Sequence, residues 1–358
     1  MNKISKFLGK TAAKPLLLLV LLIFGLSAVG CGGNDSGADN DSTTNGNDRP
    51  KLVMADVSWD SVQVHNRVVG FILQHGYGYP EPEYTFGDTM PLLQGMTRGD
   101  VDITMEVWQD NYAEPWNEIV EAGSAVDLGS IYPDAPQGWY VPTFVIEGDQ
   151  ERGIEPMAPD LRSVSDLPRY WELFKDAEVP TKGRFHNGPP GWMVTEINEV
   201  KFKTYGLDET FNLFGPGSDS ALSASMVSAY EKGEAWVGYN WEPNWVIGQL
   251  DMTRLEEPPY DPEVYNDTNN RGCAYPAAKV IKGVHVDMPD TAPEAVDLIS
   301  KYETTLEQNN DFLSYMSENN ADTEAAAIYF LKTYPDTWKT WVPQDIAQKV
   351  EQALGKVN

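Results

Sequence analysis

Tryptophan carries most of the recognisable chemistry in this chain, which has eleven of them. Several stand beside Gly, Pro or a chain turn: Ser58-Trp59-Asp60, Val107-Trp108, Gln137-Gly138-Trp139-Tyr140, Pro190-Gly191-Trp192 and Tyr239-Asn240-Trp241-Glu242-Pro243-Asn244-Trp245. Tryptophan fills cores more often than it binds ligands, and Trp116, Trp171, Trp236, Trp338 and Trp341 are assigned to that ordinary role. Tryptophans that end an element next to Gly or Pro differ, because the carboxyl ends of strands in open α/β sheets face clefts. A cleft walled by indole faces suits a cation that has no N–H to donate. A quaternary ammonium offers a carboxylate only bare charge, whereas aromatic faces give its methyl groups cation–π attraction and apolar contact together. Each ring contributes about 0.5–2 kcal/mol, the upper end when water is excluded. Three rings plus a few other contacts reach micromolar affinity, which is about 8 kcal/mol.

The turn Pro189-Pro190-Gly191-Trp192 supplies a complementary group. It leads into a helical stretch beginning Met193-Val194-Thr195-Glu196-Ile197. The first backbone N–H groups of a helix have no intrahelical acceptor and attract an anion, most naturally a carboxylate. The prolines stiffen the loop and lower the ordering cost of binding. A cation cage beside an anion-binding helix start describes a site for a zwitterion.

The elements that must position these groups alternate in type. Residues 51–56 read as a strand, followed by Val62, His65, Val68, Val69, Ile72 and Leu73 on one helical face, with Asp60 or Ser61 as cap and Gly76 as stop. Residues 101–108 alternate as a half-buried strand ending at Trp108, with Asp102, Thr104 and Glu106 on the polar side. Residues 139–145 form an extended run whose Pro142 suggests a sheet edge or a crossover. Residues 192–204 suit a helix. Leu222, Met226, Val227 and Tyr230 mark another, ended by Gly233. Residues 235–241 read as a strand ending at Trp241, and Ile346, Val350 and Leu354 line a closing helix. This alternation over 358 residues indicates an α/β protein, most simply two α/β lobes.

Composition removes whole classes of function. The formal net charge is -28, from 26 Lys+Arg against 54 Asp+Glu, so the surface repels phosphate backbones and nucleic acid is excluded as a partner. Two cysteines exclude a disulfide scaffold. His65, His75, His186 and His285 lack ligand spacing, and no nucleophile elbow, zinc-protease motif or phosphate loop is present. No catalytic residue, cofactor or metal is therefore expected. His65, on an apolar helical face, reads as core, and Cys273 as a small buried hydrophobe.

The N-terminus reads as an address. Four lysines precede an apolar run over residues 15–30, which together form a secretory signal over residues 1–30. The run ends at Ser27-Ala28-Val29-Gly30-Cys31, which resembles a bacterial lipobox with Ala28 in place of the usual Leu. Cys31 is thus expected to be lipidated, and residues 31–49, free of large apolar side chains, to form a flexible tether. An uncleaved membrane anchor is the alternative.

Taken together, the motifs Gly99-Asp100-Val101-Asp102 through Val107-Trp108, Gln137-Gly138-Trp139, Pro190-Gly191-Trp192 and Gly238-Tyr239-Asn240-Trp241-Glu242-Pro243-Asn244-Trp245 resemble those of the glycine betaine/proline betaine/choline substrate-binding proteins of ABC importers. The similarity spans nearly all of residues 51–358. It implies a two-lobe, type II periplasmic binding protein (Venus-flytrap) fold. One lobe would join residues 50–142 with 273–358, and the other would be 143–272. It also implies that Trp108, Trp192 and Trp241 cage a trimethylammonium group and that the amides of Met193 and Val194, after Gly191, hold a carboxylate. Relatives that bind choline further use aromatics at the positions of Trp59 and of Trp139 or Tyr140. Two departures stand out. His186 and Asn187 precede the turn where some relatives have cysteines. Gln109, Asp110 and Asn111 follow Trp108 where some have a carboxylate-binding His. The implied partners are a small quaternary-ammonium ligand and the membrane permease and ATPase subunits of an importer. The receptor itself would be a monomer held outside the cytoplasm by its lipid. A carbohydrate receptor using stacked Trp is the rival reading. A secreted enzyme on a cationic substrate, with Glu242 or Asp110 as base, is a further one.

Overall fold

The structure is a computed structural model that describes residues 49–357. The expected signal segment, Cys31 and the tether up to residue 48 lie outside the described residues. Among the described residues ten strands form two five-stranded sheets: β1 Val53–Asp56, β2 Glu83–Phe86, β3 Ile103–Trp108, β4 Ala125–Ala135, β5 Gln137–Pro142, β6 Gly183–His186, β7 Phe211–Phe214, β8 Gly238–Trp241, β9 Met252–Arg254 and β10 Ala278–His285. The first sheet runs β2-β1-β3-β10-β4 and the second β7-β6-β8-β5-β9. In each, three parallel strands are followed by a fourth that is antiparallel to both its neighbours, so the fifth runs in the direction of the first three. In each, the fourth position is filled by the first strand after the chain arrives from the other sheet: β5 in the second, β10 in the first. The two sheets therefore share one topology and exchange the chain twice.

This pairing corrects one boundary. The run containing Pro142 was expected to be an edge or a crossover closing the first lobe. Instead β5 lies inside the second sheet, between β8 and β9, and Pro142 is its last residue, opposite Met252. The crossing therefore comes at Pro136, between β4 and β5, and the return falls between β9 and β10.

The helix Asp60–Ile72 forms where the apolar spacing places it, burying Val62, Val64, Val68, Val69 and Ile72. Its chain continues as a π-helical turn, Leu73–Tyr77, and stops at Gly78, whose φ of 80° is the left-handed stop that Gly76 was expected to provide. That helix packs on the helix Thr323–Thr333. Gly233, at φ 69°, ends the helix Asp219–Lys232 as expected.

One reading of β3 fails. Its alternation suggested a half-buried strand, yet every residue from Ile103 to Trp108 is buried. β3 is the middle strand of its sheet and both faces are covered, so Thr104 and Glu106 point into protein rather than solvent.

Candidate functional site

The two sheets place tryptophans at equivalent positions. Trp59 caps the helix that follows β1, and Trp192 caps the helix Met193–Thr204 that follows β6. Trp108 ends β3 and Trp241 ends β8. All four converge on one cavity, lined also by Asn111, Tyr112, Met193, Val194 and Tyr239. The rings meet edge to face. Trp59 lies 5.5 Å from Trp192 at 79°, and Trp192 lies 5.0 Å from Trp241 at 80°. Tyr239 stacks on Trp241 at 5.8 Å and 20°. Perpendicular rings present several π faces to one space, the arrangement a rounded methylated cation needs.

Hydrogen bonds across the two halves hold this arrangement. Trp192 Nε1 donates to Ser58 Oγ at 3.0 Å, and the Met193 amide donates to the Tyr112 hydroxyl at 3.1 Å. Asn111 and Gln137 exchange two carboxamide bonds at 3.2–3.3 Å, and the Tyr265 hydroxyl donates to Asn111 Oδ1 at 3.0 Å. Within the second half, the Tyr239 hydroxyl donates to Gln137 Oε1 at 3.0 Å. Burial, above all, raises the Tyr112 phenol, so the hydroxyl that accepts the Met193 N–H is neutral near neutral pH.

Of the sequence-expected residues, Trp59, Trp108, Trp192, Trp241, Met193 and Val194 line the cavity. Three do not. Trp139 is fully buried, donates from Nε1 to Asn198 Oδ1 at 2.7 Å, and packs on Phe185 and Tyr205 at 4.4 and 5.5 Å. It lies on the inner strand β5, under the helix that starts at Met193, and is core. Tyr140 is also buried away from the cavity, and burial pushes its hydroxyl up to about 12. Gly191 supports the site without lining it. Its φ is 92°, and a Cβ there would sit 2.7 Å from an Asp88 oxygen, so only Gly lets these segments approach. The expectation that Met193 holds a carboxylate through its amide is modified as well: that N–H is engaged by the Tyr112 hydroxyl.

Sequence reasoning missed Asn111, Tyr112 and Tyr239. Tyr239 lies inside the motif that ends at Trp241, and its parity on the strand puts it on the same face. Asn111 and Tyr112 occupy the region where the absent His left the anionic end of the site unassigned. Among the described residues no group of His, Cys, Asp and Glu could hold a metal ion, and no helix is long and apolar enough to cross a membrane.

Comparison with known proteins agrees with this architecture. The model of the substrate-binding domain of ABC-type glycine betaine transport systems matches residues 50–333. The trimethylamine N-oxide-binding protein of Pelagibacter ubique (strain HTCC1062) is 24% identical over 288 residues, which is 80% of this chain and 89% of that protein. Among solved structures, a glycine betaine, L-proline-binding protein from Borrelia burgdorferi superposes with a TM-score of 0.65 at 19% identity, covering 84% of this chain and all of that one. A choline-binding ABC-transporter protein in complex with choline gives 0.65 at 18% identity, covering 85% and 98%. The fold is that of the type II periplasmic binding proteins. The chain belongs to the family of substrate-binding domains of ABC-type glycine betaine transport systems.

Proposed function

We propose that the protein is the extracytoplasmic solute receptor of an ABC importer and takes glycine betaine or a related methylated onium compound into the four-tryptophan cavity. The carrying observation is the convergence of Trp59 and Trp108 from one half with Trp192 and Trp241 from the other. The onium group lies among the indoles. The carboxylate, where the ligand has one, lies at the start of the helix Met193–Thr204, with the Val194 amide, the Tyr112 hydroxyl and the Asn111 carboxamide as donors. Each of these helices has one acid in its first turn, but Asp60 is the first residue after Trp59 and Glu196 only the fourth after Trp192, which supports this polarity.

The halves act as lobes of about residues 50–136 with 277–357 and 137–276. Ligand contacts both and favours the closed form, because only closure completes the cage. The permease and ATPase subunits of the importer would read that closure. A sugar is a poor fit, since polar groups on the lining are few: one carboxamide and two phenols beside the indole N–H groups. The same reading includes a receptor lipidated at Cys31 and tethered as a monomer to the membrane surface. Replacing Cys31 by Ser and following the protein into the soluble fraction tests the tether.

Titration calorimetry with glycine betaine, proline betaine, choline, carnitine and trimethylamine N-oxide tests the function. Saturable heat with at least one, and none with neutral sugars, is expected. No heat with any of the five contradicts the reading.

A further inference from the structure

Behind the cage lies a buried carboxylate that the ligand contacts leave unexplained. Glu106 is 1% exposed, on the central strand β3 and two residues before Trp108. Its Oε2 accepts the Trp59 indole N–H at 2.6 Å and faces the Trp108 indole N–H at 3.4 Å. His65 Nε2 stands 3.3 Å from Oε1, and the Tyr302 hydroxyl meets His65 Nδ1 at 2.7 Å. Tyr132 and Tyr302 lie in the same interior, and burial, then Glu106, hold their phenols well above the usual range.

We propose that Glu106 is a positioning and specificity residue of the onium site, a role that rests on the functional reading above. It acts in two ways. By accepting both N–H groups it fixes the planes of two of the four cage rings. By being charged it also polarises those N–H bonds and drives electron density toward the ring faces, strengthening their attraction for a cation. Glu106 does not touch the ligand. The second half has no counterpart: the residue two positions before Trp241 is Tyr239, which stacks on its tryptophan instead. The electrostatic bias toward a permanent cation therefore comes from one wall of the cavity.

The test separates charge from shape. Whichever of glycine betaine and choline binds the wild type more tightly is compared with its carbon isostere, 3,3-dimethylbutanoate or 3,3-dimethylbutan-1-ol, measured by competition. Glu106→Gln keeps the volume and removes the charge. It is expected to weaken the onium ligand roughly tenfold and the isostere less than about twofold. If Glu106→Gln does not fold, Trp59→Phe keeps an aromatic face while removing one donor to Glu106. It is expected to weaken the onium ligand about threefold and spare the isostere. Equal loss toward both ligands, or no loss, overturns the role. A wild type that binds no onium compound defeats the functional reading itself, so the two failures are distinguishable.

Discussion

The two halves of the molecule build the same frame and finish it differently. Each places one tryptophan at the cap of the helix after one parallel strand, β1 or β6, and one at the end of another, β3 or β8. In the first half the indole N–H groups of Trp59 and Trp108 turn back onto the buried Glu106. In the second half Trp241 is braced by Tyr239, and Trp192 N–H reaches across to Ser58. The helix starts differ in where the first-turn acid stands: Asp60 is the first residue of one helix and Glu196 the fourth of the other. One frame is thus finished in two ways, and under the proposed function the two ends of a zwitterion would meet chemically different walls.

The most severe way to break the comparison is to remove a cage ring. Trp192→Ala is expected to lower onium affinity about a hundredfold, since it deletes a central ring that touches Trp59 and Trp241. Trp338, fully buried with Nε1 bonded to the Leu331 carbonyl at 2.8 Å, is the opposite case. Trp338→Ala should cost about 3–5 kcal/mol of stability by urea unfolding while changing affinity less than about threefold. Similar affinity losses in both variants would show that the cage assignment is wrong.

A finer distinction concerns the anionic pole. Tyr112→Phe removes the hydroxyl that meets the Met193 amide. Calorimetry should then show about tenfold weaker binding of a carboxylated ligand and a change under about threefold for choline. Equal effects on the two ligands would move the carboxylate elsewhere.

The smallest expected effect lies at the seam between the halves, where Asp60 and Asp219 line a common hollow beside the cage tryptophans. Burial, and then the charge of Asp60, push the Asp219 carboxyl up to about 7. In the unfolded chain it titrates near the ordinary value of 3.8. A raised carboxyl favours the fold while protonated, so its contribution is full below about pH 4 and is lost as pH rises toward 7. Asp219→Asn should therefore raise the melting temperature by a few degrees more at pH 8 than at pH 5. An equal shift at both pH values would remove Asp219 as the source.

Much of this was legible in the sequence. Trp108 and Trp241 end alternating stretches, and Trp59 and Trp192 precede helical periodicity, so their places followed from local pattern. Trp139 carries the same local signal, a Gly beside it in a short extended run, yet it is core. The difference lies in long-range pairing: β5 is enclosed by β8 and β9, which no local window reveals. The same limit misplaced the first crossing between the halves. Glu106 was hidden differently. On a strand with covered faces an alternating acid looks solvent-facing, and only the apolar setting of His65 hinted that a buried polar partner was needed. Asn111 and Tyr112 lie beyond the end of β3, in a turn whose direction is set by tertiary contacts rather than periodicity.

The central claim is that indoles from both halves enclose one methylated onium group. A crystal structure of the protein grown with the tightest-binding onium ligand tests it most directly. The onium nitrogen is expected within about 6 Å of the centroids of Trp59, Trp108, Trp192 and Trp241, with any carboxylate directed at the start of the helix Met193–Thr204. A ligand bound against one half alone, or with its carboxylate turned toward Trp59 and Glu106, would contradict the account.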